Sequence, residues 1–136
     1  MTTAKQYNDK FKSHLGQGGA LAWKYCHMAK GQPWCCAEVS LVYGETDKKL
    51  FYGGKSCTYC PNAIKWCKAN LAEIPMYLAM SGDIIFFDWN ANNVPDHIGE
   101  VDHRVSTEKI ATVEGNTGSP ALVRKKTRPA KYVLGI

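Results

Sequence analysis

The pattern of apolar residues changes once along this chain, at Ser81-Gly82-Asp83, and that change restricts the fold more than any other feature. Before it, apolar positions recur every three or four residues; after it, they come in short runs of strand length. Helices first and strands second read as α+β. Tyr7, Phe11 and Leu15 fall four apart, which predicts an amphipathic first helix with Thr3 as cap and Gly16 as stop. The tight Gly16-Gln17-Gly18-Gly19 connection leads to a second helix over residues 20–29, with Leu21, Tyr25 and Met28 on one side. Gly31 and Pro33 end it, and a third helix begins at Cys35 and stops at Gly44. Residues 45–56 are polar and carry Gly53-Gly54, which predicts a surface loop. Pro61 then starts a fourth helix whose Ala63, Ile64, Trp66 and Cys67 face inward, ending at Asn70 or at Ile74-Pro75.

The second half predicts about five strands, over residues 84–87, 98–105, 109–114, 122–126 and 132–136, with a loop at 90–95. Their short connections predict sequential antiparallel pairing, a meander. No repeat or low-complexity linker separates the halves, so residues 1–136 read as one domain, long enough to bury a core without staples.

Within that frame one turn stands out, Gly31-Gln32-Pro33-Trp34-Cys35-Cys36, which ends in a thiol and opens directly into a helix. Unpaired backbone N–H groups and the positive end of the macrodipole at a helix N-terminus favour thiolate, the nucleophilic form. A small buried residue is the ordinary role of a free cysteine, and this turn alone does not outweigh it.

Six cysteines are more than this size demands. The N-terminal Met1-Thr2-Thr3-Ala4-Lys5 opens a polar stretch with no apolar h-region, which predicts synthesis in the reducing cytoplasm without a signal peptide. There, thiols read first as catalytic or metal-binding rather than as a disulfide framework. Cys57-Thr58-Tyr59-Cys60 and Cys67 lack a fourth ligand at customary spacing; Cys26 or His27 supplies one only through tertiary proximity. A zinc-stabilised basic binding module built on Cys57, Cys60 and Cys67 is therefore the alternative from another class. The longest apolar run is Ile84-Ile85-Phe86-Phe87, far short of a membrane span. A net charge of +5 suits an anionic partner. Basic residues are scattered apart from Arg124-Lys125-Lys126 and Arg128, so no recognition helix emerges, and on charge alone nucleic acid and a polyanionic bacterial wall fit equally well.

Two later segments complete a chemical constellation. In Asp96-His97-Ile98-Gly99-Glu100-Val101, strand alternation puts His97, Gly99, Val101 and His103 on one face, and Gly99 leaves room for a close approach beside His97. A histidine facing Cys35 can take the thiol proton and return it to a leaving amine. The next strand ends in Val113-Glu114-Gly115-Asn116-Thr117-Gly118, so that Glu114 or Asn116 can hold the imidazole in its productive tautomer. Taken singly, Glu114 reads as a solvated charge and Asn116 as a turn residue.

Pro33-Trp34-Cys35, Gly82-Asp83-Ile84-Ile85-Phe86-Phe87, Asp96-His97-Ile98-Gly99 and Glu114-Gly115-Asn116, in this order and spacing, resemble the cysteine, histidine-dependent amidohydrolase/peptidase (CHAP) family. That family is allied to the NlpC/P60 group and often supplies the catalytic domains of phage endolysins and bacterial autolysins. The resemblance covers residues 16–136. It implies a papain-like fold, Cys35 as nucleophile, His97 as base, and Glu114 and Asn116 as the groups that orient it, with Trp34 and Gly99 bordering the substrate. It further implies a monomeric peptidoglycan hydrolase that cuts an amide bond without metal or cofactor and acts on the wall after release from the cell. No wall-binding module is recognisable, and the expectation is that a C-terminal part has been left off. The chain departs from the pattern at Cys36, where a small or acidic residue is common, and at Glu38, where an apolar one is usual. Two adjacent thiols leave the nucleophile as Cys35 or Cys36; Cys35 directly follows Trp34, and the Cys36 side chain points about 100° further round the helix.

Overall fold

Tyr7 and Phe11, one helical turn apart, are buried on the inner side of α1 (Ala4–Lys12), while Lys5 and Asp9 pair on the outer side at 2.6 Å. The computed structural model describes residues 4–45 and 51–136; the expected cap Thr3 lies outside them. Leu15 does not continue the buried stripe. The helix ends at Lys12, and the following turn leaves Leu15 exposed and closes at Gly16, whose φ of +84° suits glycine. Gly16 and Gln17 exchange backbone hydrogen bonds with Val123, tying this connection to the sheet.

The second helix is shorter than its pattern predicts. α2 (Ala20–Tyr25) buries Ala22 and leaves Leu21 half exposed, because the chain turns at His27 into positive φ before Met28. Its partner, α3 (Cys35–Gly44), is buried from Cys35 through Tyr43. Gly44 matters for packing as well as termination, since a Cβ there would stand 1.9 Å from the Tyr25 hydroxyl. Of the predicted loop, residues 46–50 lie outside the described residues. Its later part is not merely surface: Phe51 is buried against Tyr43 and Trp66, with ring centroids 5.6 and 6.2 Å away. Ser40 on α3 donates to the Cys57 carbonyl and accepts from its N–H, at 3.1 and 2.9 Å. That latch delivers α4 (Cys60–Asn70), with Pro61 in its first turn, beside the start of α3.

Five strands follow: β1 (Ile84–Phe87), β2 (His97–Arg104), β3 (Lys109–Thr117), β4 (Leu122–Pro129) and β5 (Val133–Gly135). All pairings are antiparallel, in the order β4-β3-β2-β1-β5. The meander holds for the first four strands only. β5 does not pair with β4 but crosses to the far edge beside β1, so that β1 has neighbours on both sides.

Strand alternation divides the sheet into two apolar faces. Phe86, Ile98, Val113 and Val123 join α1, α2 and α3 in the main core. Ile85, Phe87, Val101 and Ile110 form a second cluster with Ala79 on the other face. The architecture is α+β, four helices and a five-stranded antiparallel sheet among the described residues.

Candidate active site

Cys35 is the first residue of α3, and Trp34 stands at its N-cap without a capping side chain. The first N–H groups of the helix thus lack side-chain partners at the cap and lie near the sulfur. Trp34 is held between two glycines: a Cβ on Gly19 or on Gly115 would come within 2.9 Å of its indole. Its position sets the angle at which α3 begins.

The loop before β2 fixes His97. The Asp88 carboxylate accepts from the backbone N–H groups of Asn90, Asn92 and Asn93, and Asp96 accepts from that of Trp89 at 2.8 Å. These bonds hold a loop in which Ala91 and Asn93 adopt positive φ. His97, as the first residue of β2, sits at the rim of the sheet, where its imidazole interacts with Cys35. Both groups are buried, Cys35 at 7% and His97 at 6% exposure.

Behind the imidazole, His97 Nε2 donates to Glu114 Oε1 at 2.8 Å. Glu114 is fully buried and receives two further hydrogen bonds from the fork of Arg128, from Nε to Oε2 at 2.9 Å and from Nη2 to Oε1. Thr112 donates to the same carboxylate. Arg128 also lies over the Trp89 ring, 4.8 Å from its centroid, and donates to the Thr117 hydroxyl at 3.0 Å.

These contacts set the charges. Burial pushes Glu114 toward its neutral form, but hydrogen bonds from Arg128 and His97 outweigh it and hold the carboxyl at about 2. Burial likewise opposes charge on His97, yet its hydrogen bonds with Cys35 and Glu114 raise it to about 9. A charged imidazole donates from both ring nitrogens, which gives Nε2 to Glu114 and leaves Nδ1 for the sulfur. On the other side of Cys35, its Sγ lies 3.6 Å from Cys60 Sγ. The hydrogen bond to Cys60 and burial push the Cys35 thiol up, and His97 pulls it down. The same contact shifts the two thiols in opposite directions, Cys35 up and Cys60 down to about 5.

The residues singled out in the sequence divide as follows. Cys35, His97 and Glu114 come together. Cys36 is turned away from His97 toward Cys57 and Cys60, and its thiol is raised well above the ordinary range by hydrogen bonds with them. Asn116 is not the imidazole's partner. A register shift between Glu114 and Thr117 and a φ of +55° send it to a groove of about 570 Å³ that it lines with Gly19, Trp23, Gln32 and Trp34. Gly99 is also reassigned. A Cβ there would stand 2.7 Å from Glu114 Cγ, so the space it leaves is filled by the orienting carboxylate and not by a ligand. Glu38 is buried because His14 Nδ1 donates to it at 2.7 Å. Among the described residues no group of three or more His, Cys, Asp or Glu side chains is assembled to hold a metal ion, Cys57, Cys60 and Cys67 included. No described helix is long and apolar enough to cross a membrane.

Two participants went unread in the sequence. Arg128 looked like part of a basic tail, although Arg124, Lys126 and Arg128 alternate along a strand beside Glu114, which is the available signal. Cys60 had none, since its approach to Cys35 depends on how two helices meet. Compared with family models, curated proteins and solved structures, the chain matches none.

Proposed function

We propose that this chain is a cysteine amidohydrolase of the CHAP type, papain-like in arrangement, that cleaves an amide bond of bacterial peptidoglycan. The observation that carries the reading is the series Cys35, His97, Glu114, with the sulfur at a helix N-terminus, an imidazole whose charge Cys35 favours, and Nε2 of that imidazole on a carboxylate that Arg128 keeps ionised. In the proposed reaction the Cys35 thiolate attacks the amide carbonyl while His97 holds the proton. The oxyanion of the tetrahedral intermediate is stabilised by backbone N–H groups at the start of α3. His97 then protonates the departing nitrogen, and a water activated by the same imidazole hydrolyses the thioester.

The groove beside Trp34 and Asn116 is the proposed seat of the stem peptide or of the muramoyl-alanine link. Trp23 and Trp34 give it apolar walls. The net charge of +5 adds attraction to wall polyanions, which salt weakens.

Loss of turbidity of purified cell walls tests the reading. The reduced wild type is expected to clear them, Cys35→Ala to leave them intact, and Cys36→Ala to retain clearing. Mass spectra of the released fragments identify the bond. Failure of the reduced wild type on both thick and thin bacterial walls, or loss of clearing in Cys36→Ala with retention in Cys35→Ala, overturns the assignment.

A further inference from the structure

The catalytic scheme leaves Cys60 unused, although no other sulfur has a recorded separation from Cys35 as short as its 3.6 Å. Each is the first residue of a helix, α3 and α4 respectively, and each is buried but not sealed, at about 7% exposure. A disulfide bond of about 2.05 Å requires these sulfurs to approach by roughly 1.5 Å. The latch between Ser40 and Cys57 holds the segment before α4 against α3, so the pair is kept in register.

We propose that Cys60 is a resolving cysteine: hydrogen peroxide joins Cys35 to Cys60 in a reversible disulfide that silences the nucleophile and protects it from irreversible oxidation. The consequence for activity rests on the function proposed above; the bond itself does not. In the first step Cys35 gives its proton to His97 and its sulfur attacks one peroxide oxygen, the O–O bond breaks, and the products are Cys35 sulfenic acid and hydroxide, which takes that proton to become water. In the second, the Cys60 thiolate attacks the sulfenic sulfur, the S–S bond forms, and hydroxide leaves and is protonated. The balance is two thiols and one peroxide giving one disulfide and two waters. A dithiol reductant reverses it by exchange. Cys60 is suited to the second step because the hydrogen bonds it accepts from Cys35 and Cys36 lower its thiol to about 5.

The test uses the full chain, reduced, freed of reductant and treated with a few equivalents of hydrogen peroxide. Tryptic peptides 31–48 and 56–65 carry two cysteines each, so the fragment spectrum of the linked pair must assign the bond. The expected result is a Cys35–Cys60 link, with wall clearing reduced roughly tenfold or more and restored by dithiothreitol. In Cys60→Ser, Cys35 is expected to gain two oxygens as sulfinic acid, and dithiothreitol to restore nothing. A Cys36–Cys57 link, or an over-oxidised Cys35 in the wild type without a link, overturns the proposal, as does recovery of Cys60→Ser equal to that of the wild type. Should Cys60→Ser fail to fold, the wild-type map decides alone. A link in a protein that never clears walls refutes the function and leaves the bond standing; clearing by the reduced protein with no link refutes the bond alone.

Discussion

Among the described residues, two buried histidines, His14 and His97, each pair with a buried glutamate, and they do different things. His14 lies between two carboxylates, Nδ1 on Glu38 at 2.7 Å and Nε2 on Glu45 at 2.9 Å, so both ring nitrogens are spent. It ties the turn after α1 to both ends of α3. His97 has Nε2 on a carboxylate that an arginine also claims, and among the described residues no carboxylate takes its Nδ1. A close histidine–carboxylate contact is therefore no sign of catalysis by itself. What separates the two is whether a ring nitrogen remains to exchange a proton.

Substituting each histidine by glutamine gives the sharpest separation. His97→Gln is expected to lower kcat/KM for wall hydrolysis by about 10²–10⁴, the usual range for a lost acid–base group, while the protein stays folded. His14→Gln is expected to leave the activity of folded protein unchanged and to lower stability by roughly 1–3 kcal/mol, since Glu38 then keeps a buried charge with a poorer partner. Denaturant titration and initial clearing rates on both variants check this. Equal activity losses would erase the distinction drawn between the two pairs.

The next effect in size comes from Arg128. Replacing it by glutamine leaves Glu114 buried with His97 as its only recorded ionic partner, so the carboxyl rises from about 2. The expected loss in kcat/KM is roughly 10- to 100-fold, about 1.4–2.8 kcal/mol of positioning. The pH profile separates this from simple destabilisation, because the acid limb moves to higher pH. Stability follows the same sign. Glu114 is lowered on folding from 4.5, so its contribution is complete above about 4.5 and is lost as pH falls through about 2. His97 is raised from 6.5 to about 9, so its contribution is complete below about 6.5 and is lost as pH rises through 9. Their joint stabilisation is greatest between about 4.5 and 6.5, and in Arg128→Gln the Glu114 contribution shrinks, because the pH through which it is lost moves up from about 2 toward 4.5. An unshifted acid limb would show that Arg128 serves packing on Trp89 alone.

Local rules made much of this readable in advance. Pro33 and Gly44 bound α3, Pro61 opens α4, and apolar runs mark the strands, because each signal lies within the element it describes. Cys35 and His97 were legible because type and spacing put each at the start of an element, and Glu114 because it lies on the strand that follows that of His97. Tertiary packing overrode the rest. The second helix stops early where His27 takes positive φ, and Leu21, in phase with the expected stripe, faces outward while Ala22 is buried. Phe51 fills the core from what reads as a polar loop. The space over Gly99 was anticipated, but its occupant was not, since cross-strand register decides that Glu114 lies there. Arg128, β5 at the far edge, and Cys60 each depend on segments far apart in sequence.

Glu100 extends the comparison to a carboxylate with no cation. It lies on β2 three residues beyond His97, fully buried; Asn8 is the one polar side chain near enough to favour its charge, and neither carboxyl oxygen makes a hydrogen bond of good geometry among the described residues. Burial drives its carboxyl up to about 8, the opposite of what befalls Glu114 in the same sheet. The sign of the stability effect reverses accordingly. Folding raises this group from 4.5, so the protein loses stability as pH rises from about 4.5 through 8, where the buried carboxyl must ionise. Glu100→Gln removes that charge but keeps an amide with no partner of its own, so the net gain at pH 8 is on the order of 1–2 kcal/mol. At pH 4, where the wild-type carboxyl is already neutral, no gain is expected. Melting temperatures of the two proteins across this range check it: curves that converge in acid and separate in base identify Glu100 as an uncompensated carboxylate. Parallel curves would mean that a cation reaches Glu100, which would make it a third member of the paired class rather than its counterexample.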